Sequence, residues 1–144
     1  METKELESLN VLVVDDDAFL REICATLLRE LGVRSVTEAK DGSEALRLVR
    51  STISVFDVIL CDIDMPVMDG FEFLKQLRSN KYIKHNDIPV LLLTSGAEER
   101  KVHDAIHLGI HGYLLKPISK NDIRDYVFTA ANSDPIDPST VNKK

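Results

Sequence analysis

Three short runs of almost purely apolar residues impose the strongest constraint on the fold of this 144-residue chain. They are VLVV at residues 11–14, VILC at 58–61 and VLLL at 90–93. None of them alternates polar with apolar side chains, as a strand with one face in water would. Strands that are covered on both faces have this pattern, which predicts a parallel sheet with helices on either side.

Helical patterns alternate with these runs and with two weaker strand candidates, residues 33–38 and 110–115. The first helix should follow Asp17 as its N-cap and stop at Gly32. Its predicted inward stripe consists of Leu20, Ile23, Cys24, Leu27, Leu28 and Leu31. Further helices are expected over residues 42–53, from Gly70, over 98–108 and after Ser119. Five strand–helix units in strict alternation predict a doubly wound α/β fold, since parallel neighbours need crossover connections.

Length and charge restrict the organisation and the partners of the chain. We expect a polar N-terminal extension at residues 1–8, one domain at 9–131, and a polar tail or linker at 132–144. The net charge of −6 argues against direct binding of nucleic acid. The sequence shows no secretory signal and no membrane span, so a cytoplasmic location is expected. Cys24 and Cys61 are interpreted as buried free thiols.

Polar residues end the predicted strands, and they indicate a shared site. Asp15 and Asp16 follow the first strand, Asp62 ends the third, Thr94 ends the fourth and Lys116 ends the fifth. In open α/β sheets, ligands gather outside the carboxyl ends of the strands, so these side chains can converge. Helix capping alone could explain acids after the first strand, but it does not explain the residues that end the other strands.

Three neighbouring carboxylates repel one another, and a single lysine offsets little of that repulsion. A hard divalent cation with oxygen ligands would compensate, and Mg²⁺ commonly joins one or two carboxylates to a phosphate. The chain has no glycine-rich phosphate loop that would indicate a bound nucleotide. The constellation therefore predicts a metal-assisted phosphoryl site.

Five stretches together resemble the receiver domain of two-component response regulators. They are VLVVDDD (11–17), EAKDGSEAL (38–46), DVILCDIDMPVMDGFEFL (57–74), PVLLLTS (89–95) and GIHGYLLKP (109–117). The resemblance covers roughly residues 9–131. It implies a flavodoxin-like fold, in which five parallel strands have the order 2-1-3-4-5 and five helices flank the sheet.

The resemblance also implies a role for each matched residue. Asp62 would be the phosphoacceptor, and Mg²⁺ would be bound by Asp15, Asp16, Asp62 and the backbone carbonyl of Asp64. Lys116 would pair with the phosphoryl oxygens, with a cis bond before Pro117. Thr94 would hydrogen-bond to the phosphoryl group, and Tyr113 would be the aromatic switch residue. In the family that the chain resembles, the residues at the positions of Asp64 and Gly96 influence how long the phosphoryl group lasts.

The resemblance further implies a signalling domain that catalyses only its own phosphorylation and dephosphorylation, not an enzyme with a separate substrate. The phosphodonor would be a sensor histidine kinase or a histidine phosphotransfer protein. Output would pass to an effector domain or protein through residues 98–131.

Other interpretations remain open from the sequence alone. Asp62-Ile63-Asp64 matches the Asp-x-Asp motif of haloacid-dehalogenase-type phosphatases, although that motif should follow the first strand. A non-phosphorylated interaction module on the same fold is a second alternative. Tyr113 could be an ordinary half-buried aromatic residue. The spacing of His103, His107 and His111 could suggest a metal site, but a solvated helix surface is the preferred interpretation.

Overall fold

The computed structural model describes residues 3–51, 55–96 and 99–140 and contains one five-stranded parallel sheet. The strands are β1 (Asn10–Val14), β2 (Ser35–Ala39), β3 (Val58–Asp62), β4 (Val90–Thr94) and β5 (Gly112–Leu115). The helices are α1 (Ala18–Glu30), α2 (Gly42–Arg50), α3 (Gly70–Ser79), α4 (Glu99–Ile106) and α5 (Lys120–Asn132). The strand order is β2-β1-β3-β4-β5, which confirms the predicted fold class.

The apolar runs are buried on both faces of the sheet, as their lack of alternation predicts. Successive residues of a strand point to opposite faces, so each run supplies two cores. In β3, Val58 and Leu60 join the core under α1 and α5, whereas Ile59 and Cys61 join the core under α2, α3 and α4. Cys24 and Cys61 are both buried free thiols, as expected.

Local capping signals fix where the helices begin and end. The Asp17 carboxylate accepts hydrogen bonds from the N–H groups of Phe19 and Leu20 and so caps α1. Gly32 adopts a φ of +86° directly after that helix, a conformation that glycine tolerates better than other residues. Asp41 and Ser119 cap α2 and α5 in the same way.

Two predicted strand starts are wrong, because a backbone group at each of them forms a hydrogen bond outside the sheet: the Val33 N–H with Leu28 O, and Ile110 O with the Ile136 N–H. Val33 precedes β2, since its N–H donates to Leu28 O and closes the turn after α1. Ile110 and His111 precede β5, whose pairing with β4 starts at Gly112.

Helix α2 ends at Arg50, and the predicted end at Ile53 lies outside the described residues. Helix α4 ends at Ile106 and not at 108, and the predicted start at Glu98 is likewise outside the described residues.

Some side chains predicted to face inward are exposed. Leu20 and Ile23 are 38% and 41% exposed, because they line a groove beside α5 and do not lie under the sheet. In α5, the apolar pattern predicts an inward face that consists of Ile123, Tyr126, Val127 and Ala130. Yet Tyr126 is 42% exposed, and its ring lies over Gly112 of the edge strand, where an added Cβ would come within 3.3 Å of it. The part of α1 and α5 that packs against the sheet is therefore narrower than the stripe of apolar residues on each helix.

Residues at both ends of the chain contact the domain at the pole opposite the strands' carboxyl ends. The Asn132 side chain accepts from the Lys4 N–H and donates to its carbonyl, at 2.7 and 3.0 Å. Lys4 Nζ lies 3.1 Å from the Asp57 carboxylate. In the tail, the Ile136 N–H donates to Ile110 O, and its side chain packs against the core. In the part of the chain that the structure describes, no helix is long and apolar enough to cross a membrane.

Candidate functional site

Three carboxylates meet at the carboxyl ends of β1 and β3. Asp15, Asp16 and Asp62 each offer an oxygen within 4.8 Å of the others'. Asp62 is the last residue of β3, and Asp15 directly follows β1, the neighbouring strand, so the register of the sheet places them side by side. Asp15 and Asp62 are 2% and 3% exposed, whereas Asp16 is open to solvent. The predicted convergence of these acids is confirmed.

One ammonium group joins the three acids. Lys116 follows β5, and its backbone N–H donates to Thr94 O at 2.9 Å, which continues the pairing of β5 with β4. Its Nζ lies 2.8 Å from Asp62 Oδ1 and 4.0 Å from Asp15 Oδ2. The peptide bond between Lys116 and Pro117 is cis, as the resemblance implies. The cluster therefore carries three acids against one base.

Burial dominates the electrostatics of this cluster. Burial, together with the charge of Asp62, raises the pKa of Asp15 from 3.8 to about 6. The hydrogen bond from the Asp17 N–H and the charge of Lys116 act to lower it. Burial also raises the pKa of Asp62, against the lowering effects of Lys116 and the Asp64 N–H. For Lys116, burial acts to lower the pKa, but the surrounding carboxylates outweigh it and raise the pKa. When the three acids are ionised, Lys116 alone does not balance their negative charge.

The donor set fits a hard divalent cation. All three acids offer carboxylate oxygens, which are the ligands that Mg²⁺ prefers. Among the described residues, no donor makes a well-aligned hydrogen bond to the buried Asp62 Oδ1, although Lys116 is in ion-pair contact with it. A buried oxygen of this kind is normally satisfied, and a bound cation or its water would satisfy it.

The β1–α1 loop is held by Arg21, which the sequence patterns did not single out. Arg21 Nη1 donates to the carbonyl oxygen of Asp15 at 2.8 Å, and its Nε donates to Glu38 Oε1 at 3.1 Å. The Asp15 side chain also accepts from the Asp17 N–H at 2.9 Å. A signal for Arg21 exists in the sequence, as a basic residue one turn into the helix that follows the acids.

Gly70 lies in close contact with the backbone of Asp62, the phosphoacceptor candidate. A Cβ added at Gly70 would lie 2.5 Å from Asp62 O and 2.7 Å from the Ile63 Cα, so only glycine fits there. Asp69 caps α3 by accepting from the Glu72 N–H at 2.8 Å. In the same loop, Val67 is fully exposed at a φ of +68°, a strained conformation for a β-branched residue. Neither the constraint at Gly70 nor the strain at Val67 was predicted from the sequence.

Thr94 and Tyr113 flank a groove on the other side of the site. Thr94 ends β4 and is buried, and its Oγ1 accepts from the Gly96 N–H at 3.0 Å. Tyr113 lies on the edge strand β5 and is 43% exposed. The two residues line a groove of about 350 Å³ together with Val102 and Ile106 of α4. Thr94 and Tyr113 therefore share one open groove beside α4.

Of the remaining candidates, Asp64 contributes its backbone N–H to the Asp62 carboxylate, whereas the three histidines lie outside the carboxylate cluster. The Asp64 side chain is exposed. His103 and His107 are exposed on and just after α4, with ring centroids 5.6 Å apart, as the surface interpretation predicts. His111 is half-buried before β5, where burial lowers its pKa to about 4. The described residues place no three-histidine cluster that could bind a metal.

Comparisons with known proteins point to one family. The family model described as "Response regulator receiver domain" matches residues 11–128. Chemotaxis protein CheY-3 of Vibrio cholerae is 34% identical over 119 residues, which are 83% of this chain and 88% of that protein. Chemotaxis protein CheY of Pseudomonas aeruginosa is also 34% identical, over 83% of this chain and 93% of its own length.

Solved structures agree with the sequence comparisons. Chemotaxis response regulator CheY4 of Vibrio cholerae superposes with a TM-score of 0.74 at 32% identity, covering 85% of this chain and 98% of its own. The receiver domain of sensor histidine kinase PA1611 from Pseudomonas aeruginosa, determined with a magnesium ion coordinated in the active-site cleft, gives a TM-score of 0.74 at 26% identity. It covers 86% of this chain and 98% of its own.

Proposed function

The chain belongs to the response regulator receiver domain family, whose members undergo Mg²⁺-dependent phosphoryl transfer, and from this we propose that Asp62 is its phosphoacceptor. The observation that carries the proposal is the position of Asp62. Its carboxylate ends the central strand β3, beside two further acids and 2.8 Å from the Lys116 ammonium. In the proposed reaction an Asp62 oxygen attacks the phosphorus of a phosphohistidine, the P–O bond forms, and the P–N bond to the donor breaks.

We assign the metal site to Asp15, Asp16 and Asp62, with the backbone carbonyl of Asp64 as a further ligand. The bound Mg²⁺ would supply positive charge to phosphoryl oxygens. The chain's own part is to hold the acids together although burial and like charge oppose the ionisation of Asp15 and Asp62. Lys116 holds one Asp62 oxygen in place and can follow the phosphoryl group when it arrives.

Thr94 and Tyr113 are proposed to convert phosphorylation into a change of surface. The Thr94 hydroxyl now accepts a hydrogen bond from Gly96 and can donate its own proton to a phosphoryl oxygen. A shift of Thr94 toward the site would open the groove beside it to the Tyr113 ring. The phosphoryl group thereby biases an element with two arrangements.

The partners follow from these assignments. The donor would be a sensor histidine kinase or a histidine phosphotransfer protein, and the output surface would lie within residues 98–131 of the 9–131 domain. Tyr113, Leu115 and Tyr126 expose apolar surface within that region. We propose that the chain has no separate substrate and catalyses only its own phosphorylation and dephosphorylation, in the cytoplasm.

Intact-protein mass spectrometry after incubation with acetyl phosphate and Mg²⁺ tests the proposal. Wild type and Asp69→Asn should each gain one phosphoryl group, and Asp62→Asn should gain none. Asn can still cap α3, so Asp69→Asn controls for the loss of a nearby carboxylate. EDTA should abolish the adduct of both wild type and Asp69→Asn.

Released phosphate should be measured in the same samples. Equal labelling of Asp62→Asn and wild type would refute the assignment. Steady phosphate release without an adduct would favour the phosphatase alternative, and no adduct with no release would favour the non-phosphorylated module.

A further inference from the structure

We infer that Arg21 is a positioning residue for the metal site, an inference that rests on the proposed function of the carboxylate cluster. Arg21 is largely buried, with 19% of its side chain exposed, and it touches none of the three carboxylates through a hydrogen bond or ion pair described in the structure. It acts instead on the backbone that carries two of them. Its guanidinium fork connects α1, the β1–α1 loop and β2.

The carbonyl that Arg21 holds belongs to the peptide bond between Asp15 and Asp16. Arg21 Nη1 donates to this oxygen at 2.8 Å. The preceding peptide bond is held as well, because the Asp15 N–H donates to Ala39 O at 3.1 Å. A planar peptide that is held at its oxygen cannot rotate freely. The directions in which the two neighbouring carboxylates leave the backbone are therefore set by this hydrogen bond.

The other end of the guanidinium is fixed as well. Arg21 Nε donates to Glu38 Oε1 at 3.1 Å, and Glu38 lies in β2, one residue before Ala39. The planar fork lets one arginine bind both acceptors, whereas a lysine has a single ammonium on a flexible stem. The β1–α1 loop is thus bound to β2 both through the Asp15 N–H and through the side chain of Arg21.

The charge of Arg21 and its proposed positioning role would change the affinity for Mg²⁺ in opposite directions, so the two effects can be distinguished. Removing a cation near a site for Mg²⁺ reduces repulsion, so on electrostatic grounds a neutral residue at this position would bind the metal more tightly. If Arg21 orients the loop, its loss should weaken metal binding despite that gain. Residues that orient metal ligands typically contribute in this way.

Arg29 offers a matched control. Its Nη2 lies 3.6 Å from Oε2 of the same Glu38, its side chain is 54% exposed, and the structure gives it no contact with Asp15. Arg29→Met deletes the same charge from the same ion-pair network and leaves the Asp15 carbonyl held. A difference between the two variants therefore reports the hydrogen bond to the loop.

The experiment is calorimetric titration of the full chain with Mg²⁺, with melting curves in EDTA for each variant. Arg21→Met should weaken Mg²⁺ binding by roughly tenfold. Arg29→Met should stay within about twofold of wild type, as expected for an exposed pair. Arg21→Lys, which keeps the charge but has a single ammonium in place of the planar fork, should recover part of the loss and provides the measurement if Arg21→Met does not fold.

The outcomes separate the inference from the function on which it rests. Unchanged or tighter Mg²⁺ binding by Arg21→Met, or an equal loss in both arginine variants, would overturn the positioning role while leaving the metal site intact. A lower melting temperature of Arg21→Met, with no change in Mg²⁺ binding, would likewise overturn it. Failure of wild type itself to bind Mg²⁺ would refute the proposed metal site and the inference with it.

Discussion

Replacing Asp15 by asparagine should stabilise the metal-free protein at neutral and alkaline pH. Asp15 is 2% exposed, and burial raises its pKa from 3.8 to about 6. Holding this carboxylate ionised in the folded state therefore costs free energy. An asparagine has nearly the same shape, and its side-chain oxygen can still accept the hydrogen bond that the Asp17 N–H donates at 2.9 Å.

The size of the effect follows from the pKa difference. At about 1.4 kcal/mol per pKa unit, ionisation of Asp15 costs the folded state about 3 kcal/mol. The folded pKa lies above the unfolded one, so the contribution of Asp15 to stability is fully present below about pH 4. It declines as the pH rises through about 6, the folded pKa.

Urea unfolding in EDTA, followed by circular dichroism, provides the assay. At pH 8 the free energy of unfolding of Asp15→Asn should exceed that of wild type by about 3 kcal/mol, and at pH 4 the two should coincide. Saturating Mg²⁺ should narrow the gap at pH 8, because a ligand that binds only the folded state stabilises it and the variant lacks one of the proposed metal ligands. A stability difference that does not change between pH 4 and pH 8 would show that ionisation of Asp15 costs the folded state nothing.

Three further substitutions test the loop after β3 and the charge balance of the site. Val67→Asn should raise the free energy of unfolding by about 1 kcal/mol, because asparagine tolerates the left-handed φ that strains valine. Gly70→Ala should lower it by about 1–3 kcal/mol in the same assay, through contact with the Asp62 carbonyl. Lys116→Met should raise the pKa of Asp62 further, measured by NMR titration of its carboxyl carbon, because the ammonium 2.8 Å away is lost.

Each of these substitutions has a clear contrary result. An unchanged or lower stability of Val67→Asn would mean that the loop relaxes without cost. Wild-type stability of Gly70→Ala would mean that the backbone behind Asp62 yields to a methyl group. An Asp62 pKa that falls in Lys116→Met would contradict the charge balance described for the cluster.

The parts of the fold set by local chemistry could be predicted from the sequence. Asp17 and Gly32 bound the first helix because capping and left-handed backbone depend on neighbouring residues. The convergence of Asp62 with the acids after β1 was predictable because parallel strands present their carboxyl ends together.

What the sequence did not reveal depends on hydrogen bonds to particular backbone atoms and on how the helices pack on the sheet. Val33 leaves the predicted strand because its N–H bonds to the end of α1. Leu20 and Ile23 fit the periodic pattern of a buried helix face, yet they line a groove. Periodicity identifies the apolar face of a helix, but it does not show how much of that face packs against the sheet. Arg21 was missed because its position after the acids marks it only as a basic residue of α1, whereas its hydrogen bond is to a backbone oxygen.

Chemical trapping of the modified residue would identify the phosphoacceptor without relying on substitutions. After phosphorylation with acetyl phosphate and Mg²⁺, borohydride reduces an aspartyl phosphate to homoserine, and peptide mass spectrometry then locates the altered position. We predict homoserine at Asp62 alone, absent when EDTA is added before the phosphodonor. Homoserine at Asp15, Asp16 or Asp64, with Asp62 unaltered, would contradict the assignment of Asp62 as the phosphoacceptor.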